Sequence, residues 1–465
     1  SENGHCLTQE FGGARSGLFC DGKDGINGCP GHCTCRESQE ELDSSGNTAS
    51  ALFTFSTKSI NPTGSNVIDA TATELSDGWF RLSVTGNVTS TSWSLSIATL
   101  YANPTNDSVF VWGAQLEQSL AANEYIETTT TTGTAGILED TPRFDYSNGA
   151  SCPSLLLEGS RTNVIGQSEY FGGSYWTKSG ANVVSGFTSP EGLSNAYKLV
   201  ATSNNGFILK QDYPIVANAY YTNSIYLKRV QGLGQVTMRT VNNSIVNITL
   251  TNEWQRFEAS VISDSSTVFT HQISLATAGD EIMIFGAQCE QGSYATSYIP
   301  NHSGTGTITR AADVLDGAGD VNTFNHSQGV LFLDVENVNA TSAISISDDS
   351  SSNFIQIYLD NTSLNPIRYR ASSGGTSQFD TSFAYSLDVS QPFKIALRYS
   401  TNNFSIWING VKANEVLSGS TPVGLSTIEF YNIFGAGTKF DGKLKQVLIF
   451  NTALSDADLT ALTTI

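Results

Sequence analysis

The 465 residues carry 43 acidic against 23 basic side chains, a net charge of −20, and that field repels the phosphates of DNA or RNA, so nucleic acid is excluded as a partner. Only 14% of the residues are charged, while Gly, Ser, Thr and Asn are abundant, a composition of short strands and turns rather than long helices. The length calls for about three domains, no run of about 18 apolar residues is present to span a bilayer, and Ser1 is not followed by the charged-then-apolar pattern of a leader. The expected class is all-β: tandem antiparallel β-sandwiches of jelly-roll type behind a mostly irregular, Cys-rich N-terminal arm.

The arm is assigned to residues 1–50, which hold five of the seven cysteines, many glycines and no strand-length alternation. Such a stretch buries no core of its own. Cys29, His32, Cys33 and Cys35 lie close enough in sequence to share a zinc ion, with His5, Cys6 and Cys20 to complete the shell, although this is not the paired CxxC spacing of a zinc ribbon. Local disulfides, which leave one cysteine over, and free thiols are the competing readings, so zinc is not specified by the sequence.

From Ala51 the pattern changes to period two. ALFTFS, GWFRLSVTGNVT, SWSLSIATLY and SVFVWGAQLEQ follow one another at the intervals of antiparallel strands joined by turns, and define a shortened sandwich over residues 51–140. Its ending is repeated downstream. Trp79 and Arg81 match Trp254 and Arg256 at an offset of 175, and WGAQLEQ from Trp112 matches FGAQCEQ from Phe285 at an offset of 173, which indicates a duplicated module. NEYIETTTTTGT likewise stands in the place of TSYIPNHSGTGT. Apolar residues on both parities of VFVWGA predict a strand buried on both faces, with Gly113 allowing close packing. Gln115 and Glu117, like Gln288 and Glu290, share one strand face, where they either satisfy backbone groups, the favoured expectation, or grip sugar hydroxyls.

Residues 141–316 hold a linker cassette and the complete copy of the module. The cassette reads TPRFDYSNGASCPSLLLEGSRTN from Thr141 to Asn163 and is followed by a phrase, Asn163 to Phe171, that opens a longer series of strand words ending in ITRAADV at Ile308 to Val314. PRFDY, SLLLEGSRTN and the N-x-x-x-x-S-E-x-F phrase resemble the linker and carbohydrate-binding-like β-sandwich modules of bacteriophage tail fibres and other virion appendages. That resemblance implies a virion protein. The first copy lacks the opening strands of this pattern, so either the arm caps it or another subunit supplies them.

Residues 317–465 alternate cleanly through GVLFLDVENV, NFIQIYLD, IRYRASS, FKIALRYS and NFSIWINGV to GKLKQVLIFNTALS. Asn409 and Gly410 form a hairpin turn, and Ser455 caps a short helix with Asp456 and Asp458 in its first turn. The order of these words resembles laminin-G-like or concanavalin A-like jelly rolls, which bind glycans but host many functions. Trp407 alternates with Ile406 and Ile408, so it is expected to face outward. With Arg398 and Asn409 it forms the candidate carbohydrate-binding site, an aromatic plate beside a guanidinium. Asp348, Asp349 and Asp360 are loop acids of the kind that hold calcium, but too few to specify it.

No HExxH, GxSxG or GxxxxGK occurs, and the histidines fall in no hydrolytic motif. The expected function is a non-enzymatic structural protein on a virion surface, tail or head. It forms a homo-oligomer, for instance a trimer, with other virion subunits and mediates attachment by binding a host surface polysaccharide. A decoration or scaffold subunit without ligand, and an extracellular glycan-active enzyme, are the alternatives.

Overall fold

The tertiary structure is a computed structural model that describes the backbone of strands 16–24, 32–35 and 97–99 and residues 49–63, 67–75, 78–86, 109–117, 121–122, 125, 142–146, 153–240, 244–264, 268–302, 304, 306–360, 366–434 and 438–465. The side chains of the candidate zinc ligands Cys29, His32, Cys33 and Cys35 lie outside the described residues. The chain divides into two compact units, 1–134 with 162–309, and 135–161 with 310–465.

In the first unit the shortened sandwich is built from β1 (Ser16–Asp24), β2 (His32–Cys35), β3 (Ala51–Thr54), β4 (Ser59–Pro62), β5 (Val67–Glu74), β6 (Trp79–Gly86), β7 (Ile97–Thr99) and β8 (Val109–Glu117). They form two four-stranded sheets, β5-β6-β1-β8 and β4-β3-β2-β7, around Ala51, Phe53, Phe80, Leu82 and Val84. The Cys-rich stretch, read from sequence as having no strands, contributes β1 and β2 to the middle of these sheets. Backbone pairing with a neighbour on each side holds them without the alternation that a sequence pattern requires.

Two short strands follow, β9 (Arg143–Asp145) and β10 (Ser154–Leu157), which belong to the second unit. The complete sandwich of the first unit then runs through β11 (Arg161–Asn163), β12 (Thr177–Ser179), β13 (Ala181–Phe187), β14 (Ala196–Ala201), β15 (Gly206–Pro214), β16 (Tyr220–Gln231), β17 (Val236–Arg239), β18 (Ile245–Ile248), β19 (Gln255–Ile262), β20 (Val268–Leu275), β21 (Glu281–Gln291) and β22 (Ile308–Arg310). Sheets β12-β15-β20-β17-β18 and β13-β14-β21-β16-β19 face each other across Phe171, Trp176, Leu199, Ile225, Leu227, Met238 and Ile284.

The recurring words now have physical reasons. Gly113 and Gly286 both take positive φ, 71° and 65°, each at a register shift, between Phe19 and Asp21 on the strand facing β8 and between Ser224 and Tyr226 on the strand facing β21. The glycine of the GAQ word is therefore a bulge residue in the left-handed region, rather than only a close-packing device. Trp112 stacks on Tyr125 with centroids 4.7 Å apart, as Phe285 does on Tyr298 at 5.4 Å. Gln288 and Glu290 are buried and grip no ligand surface: Gln288 Oε1 accepts from Ile299 N (2.6 Å), and Glu290 accepts from Thr296 N and Oγ1 (both 2.7 Å). They tie the TSYIP segment to β21. Asn163 completes the clamp, donating to Ile299 O (2.8 Å) and Ser168 Oγ (2.9 Å) and accepting from Cys289 N (3.1 Å).

The second unit is a sandwich of β23 (Gln328–Val338), β24 (Ser342–Ser347), β25 (Phe354–Leu359), β26 (Ile367–Ser373), β27 (Thr376–Phe383), β28 (Phe393–Ser400), β29 (Asn403–Ile408), β30 (Val411–Val416), β31 (Thr427–Glu429) and β32 (Gly442–Phe450), closed by helix α1 (Asp456–Thr463). Its seven-stranded sheet is ordered β30-β29-β28-β23-β32-β10-β9 and its five-stranded sheet β27-β26-β25-β24-β31. The cassette, placed by sequence with the complete sandwich, thus adds two strands to one side of this sheet, Leu155 pairing with Leu444 and Leu157 with Gly442. Its charged words form a clasp in the same unit. Arg143 reaches Glu158 (2.7 Å) and Asp313 (2.5 Å), and Arg310 reaches Glu158 (2.7 Å).

Candidate functional site

Trp407 and Arg398 are brought together, but not at a surface, and Asn409 lies apart from them in the half-buried hairpin turn. The alternation does turn Trp407 away from the Phe404, Ile406 and Ile408 stripe, which lines the main core. The opposite face is itself covered: α1 lays Leu459 over Val330, Phe332, Ala396 and Trp407, leaving the indole 1% exposed. The Arg398 guanidinium and the Lys412 ammonium stand 4.8 Å and 5.0 Å from the Trp407 ring centre, and both pair with Asp456 at the helix start (2.7 and 2.8 Å). Asn409, at φ 49° in the hairpin, accepts from Lys394 N (2.9 Å). The three residues dock a helix and shape a turn. A sugar ring has no access to the indole or the guanidinium.

The other sheet presents a different outer face. Alternation sends Ile344, Ile346, Ile355, Ile357, Ile367 and Tyr369 inward and turns polar side chains to the opposite face, where Ser345, Gln356, Arg370 and Glu429 are themselves buried. Register aligns them into one row across five strands: Glu429 opposite Ser345, Ser345 opposite Gln356, Gln356 opposite Arg370, and Arg370 opposite Asp380. Arg370 Nε donates to Gln356 Oε1 (2.6 Å), and Gln356 Nε2 donates to Ser345 Oγ (2.8 Å). Arg370 also donates to Asn432 Oδ1 (2.5 Å), so the segment after β31 is tied down over the row. Its guanidinium lies 4.9 Å below the ring centre of Phe434, whose side chain is 62% exposed. Burial holds the Arg370 pKa below its ordinary value, helped by neighbouring Arg368. Arg368 itself pairs with Asp380.

Where this row reaches β31 the surface opens into a cavity of about 530 Å³ lined by Asp316, Asp320, Asp349, Glu429 and Tyr431, with Gly317, Gly319, Val321, Ser426 and Thr427. Glu429 is 1% exposed and accepts from Ser347 Oγ (2.7 Å). Burial raises its pKa, the Asp349 and Asp316 charges add to that, and Ser347 and Tyr431 pull it back. The Tyr431 phenol is pushed up to about 12 by burial and then by the same three carboxylates. Asp349 adopts φ 66°, a strained conformation for a residue with a side chain. Of the loop acids considered for calcium, Asp348 is engaged by Ser350 (2.6 Å) and Asn353 (2.8 Å), and Asp360 accepts from Thr341 (3.3 Å). No group of three or more His, Cys, Asp or Glu placed to hold a metal exists among the described residues.

Gln356 and Arg370, which drew no expectation from the sequence, were legible as outward positions, since FIQIYL and IRYRAS put them on the parity opposite their isoleucines. Their assembly was not, because register and the path of the 431–434 segment are tertiary facts.

Comparison with solved structures gives likenesses over about a third of the chain. The CBM40 of Ruminococcus gnavus IT-sialidase shares 14% identity at a TM-score of 0.27, covering 32% of this chain and 93% of that one. Domain 4 of a GH43 extracellular arabinanase from Geobacillus stearothermophilus, in complex with arabinotriose, shares 13% at 0.25, covering 34% and 73%. The CBM22-1 xylan-binding domain from Paenibacillus barcinonensis shares 14% at 0.22, covering 29% and 94%. No curated protein matches the chain in sequence. Residues 331–460, most of the sandwich that carries this cavity, match the family described as the concanavalin A-like lectin/glucanases superfamily (Laminin_G_3).

Proposed function

We propose that the chain is a non-enzymatic structural protein of a phage-like virion, displayed on the virion surface with other virion subunits, that mediates attachment by holding a host surface glycan in the cavity beside β31, at the edge of the five-stranded sheet. The cassette and strand words that resemble virion appendages support the virion setting. The observation that carries the binding role is the cavity of about 530 Å³ at the edge of a polar sheet face. Its carboxylates accept hydrogen bonds from sugar hydroxyls. Tyr431 inside it, and the exposed ring of Phe434 nearby, offer faces to the C–H side of a pyranose.

The test is a glycan array probed with the full chain, followed by affinity and melting measurements on Phe434→Ala and Asp349→Asn. Each substitution is expected to weaken binding about tenfold or more, a loss of about 1.4 kcal/mol, with melting unchanged. Asparagine tolerates the left-handed conformation at position 349. An array without binding would leave a decoration subunit without ligand, and released sugar would make the chain an enzyme. Images of particles carrying a label on this subunit test the virion setting separately.

A further inference from the structure

The cavity beside β31 holds charge of one sign. Asp316, Asp320, Asp349 and Glu429 line it, and none of the described residues on its wall is Lys, Arg or His. Lys439 belongs to the adjoining cavity of about 180 Å³, which shares Asp316 and Tyr431 with it. Asp320 is held in its turn by Thr323 N and Oγ1 (both 2.9 Å) and by Asn322 N (2.9 Å). Glu429 is satisfied on one side only. Its Oε1 accepts from Ser347 Oγ (2.7 Å), while its Oε2 is buried and accepts no hydrogen bond, in a residue 1% exposed. The nearby Tyr431 phenol favours the charge without bonding to that oxygen. A buried carboxylate oxygen that lacks a donor carries its desolvation cost uncompensated, and the cavity is the side from which a donor can reach it.

We infer, on the reading that this cavity holds a glycan, that it selects a sugar bearing a free amine, a deacetylated amino sugar whose ammonium takes Glu429 as its counter-ion. Acidic sugars such as sialic and uronic acids are repelled by these carboxylates in a chain of net charge −20. A neutral sugar brings hydroxyl donors but no charge, and closing over Glu429 strips its carboxylate of remaining water without replacing it by an opposite charge. An ammonium supplies three donors and that charge, and charge-assisted bonds to a carboxylate are about twice as strong as neutral ones. The face of Tyr431, on the same wall, attracts a cation as well. Acetylation removes the charge and all but one of the donors, so a site that gains from the amine discriminates against the acetamide. A bare metal ion fits less well: the cavity of about 530 Å³ has the size of a small-molecule site, and the described acids do not converge as metal ligands do.

The experiment is calorimetric titration of the full chain, in a mildly acidic buffer that keeps sugar amines charged, with three probes: a β-1,4-linked glucosamine tetramer, its fully N-acetylated form, and tetralysine, which carries ammonium groups without sugar rings. The glucosamine tetramer is expected to bind at least about tenfold more tightly than either of the others. Glu429→Gln keeps an acceptor for Ser347 and should weaken that binding about tenfold, whereas Asp388→Asn, which removes one charge from an exposed loop outside the cavity, should leave it unchanged. Circular dichroism and melting accompany each variant, and Asp349→Asn takes the place of Glu429→Gln if the latter does not fold. An N-acetylated tetramer or tetralysine that binds as tightly as the amine overturns the inference, as does a folded Glu429→Gln that behaves like Asp388→Asn. A glucosamine tetramer that does not bind also overturns it; a glycan array that then shows another sugar bound keeps the attachment reading, and a blank array removes both.

Discussion

At Trp407 the same alternation that turns the ring away from the main core delivers it to a second, smaller core beneath α1. Trp407→Ala therefore removes a buried indole and is expected to cost about 3–5 kcal/mol, read as a sharp fall in melting temperature of the full chain. A variant that melts like the parent would contradict the burial. Glu169 is a second residue whose surroundings decide its chemistry. It accepts from Tyr298 (2.9 Å) and Asn195 (3.0 Å), His302 Nε2 stands 3.7 Å away, and burial raises its pKa from 4.5 to about 7 against the pull of those two hydrogen bonds. A carboxyl raised in the folded state contributes stability that is complete below the unfolded pKa of 4.5 and is lost as pH rises through about 7, in total about 3 kcal/mol. Glu169→Gln cannot ionise, and the Asn195 amide can turn to accept from it. Its melting temperature should fall less between pH 4.5 and 8 than the parent's, and an identical pH slope would reject the assignment. Buried His271 runs the other way. Burial lowers its pKa to about 3, so its contribution is complete above the unfolded value and fades as pH falls.

At the scale of the element, the GAQ glycine separates backbone from packing effects. Gly113 and Gly286 share a positive φ, which costs a residue with a Cβ roughly 1–2 kcal/mol. At Gly286 an added Cβ would also come within 3.2 Å of both Tyr226 and Tyr298. Gly286→Ala should lose more than that backbone cost in chemical denaturation and shift Tyr298 in the aromatic stack. A loss near zero would mean that the bulge relaxes. The α1 start was foreseen: Ser455 accepts from Asp458 N (3.2 Å), as the sequence of Ser followed by early acids implies. What α1 covers was not foreseen, because its short apolar side, Leu459 and Leu462, does not say which sheet it meets.

For the whole molecule, the division into units cuts across chain order. The C-terminal sandwich takes β9 and β10 from residues 135–161, with Leu157 4% exposed in its core and Glu158 held between Arg143 and Arg310. A fragment from Gly317 to Ile465 would leave the β32 edge unpaired and is expected to aggregate. A chain joining Ala135–Arg161 by a flexible linker to Arg310–Ile465 should be soluble and melt cooperatively. Equal behaviour of the two would show that the cassette adds nothing.

Strand positions, the duplication, the Asn409–Gly410 hairpin and the all-β class follow from the sequence by itself, because alternation, turn residues and repeated words are local signals with a fixed period. The same signals turned Trp407 away from the main core, as found. Tertiary structure alone decided which faces stay open. A side chain's parity says that it leaves one core, but not whether a helix, a neighbouring strand or water receives it. That is why Trp407 was expected at a surface and lies in a core, and why VFVW was expected to be buried on both faces while Phe110, Val111 and Trp112 are exposed. Strand register, which one residue of slip would invert, then set Glu429, Tyr431, Asp316 and Asp349 around one cavity from segments more than a hundred residues apart.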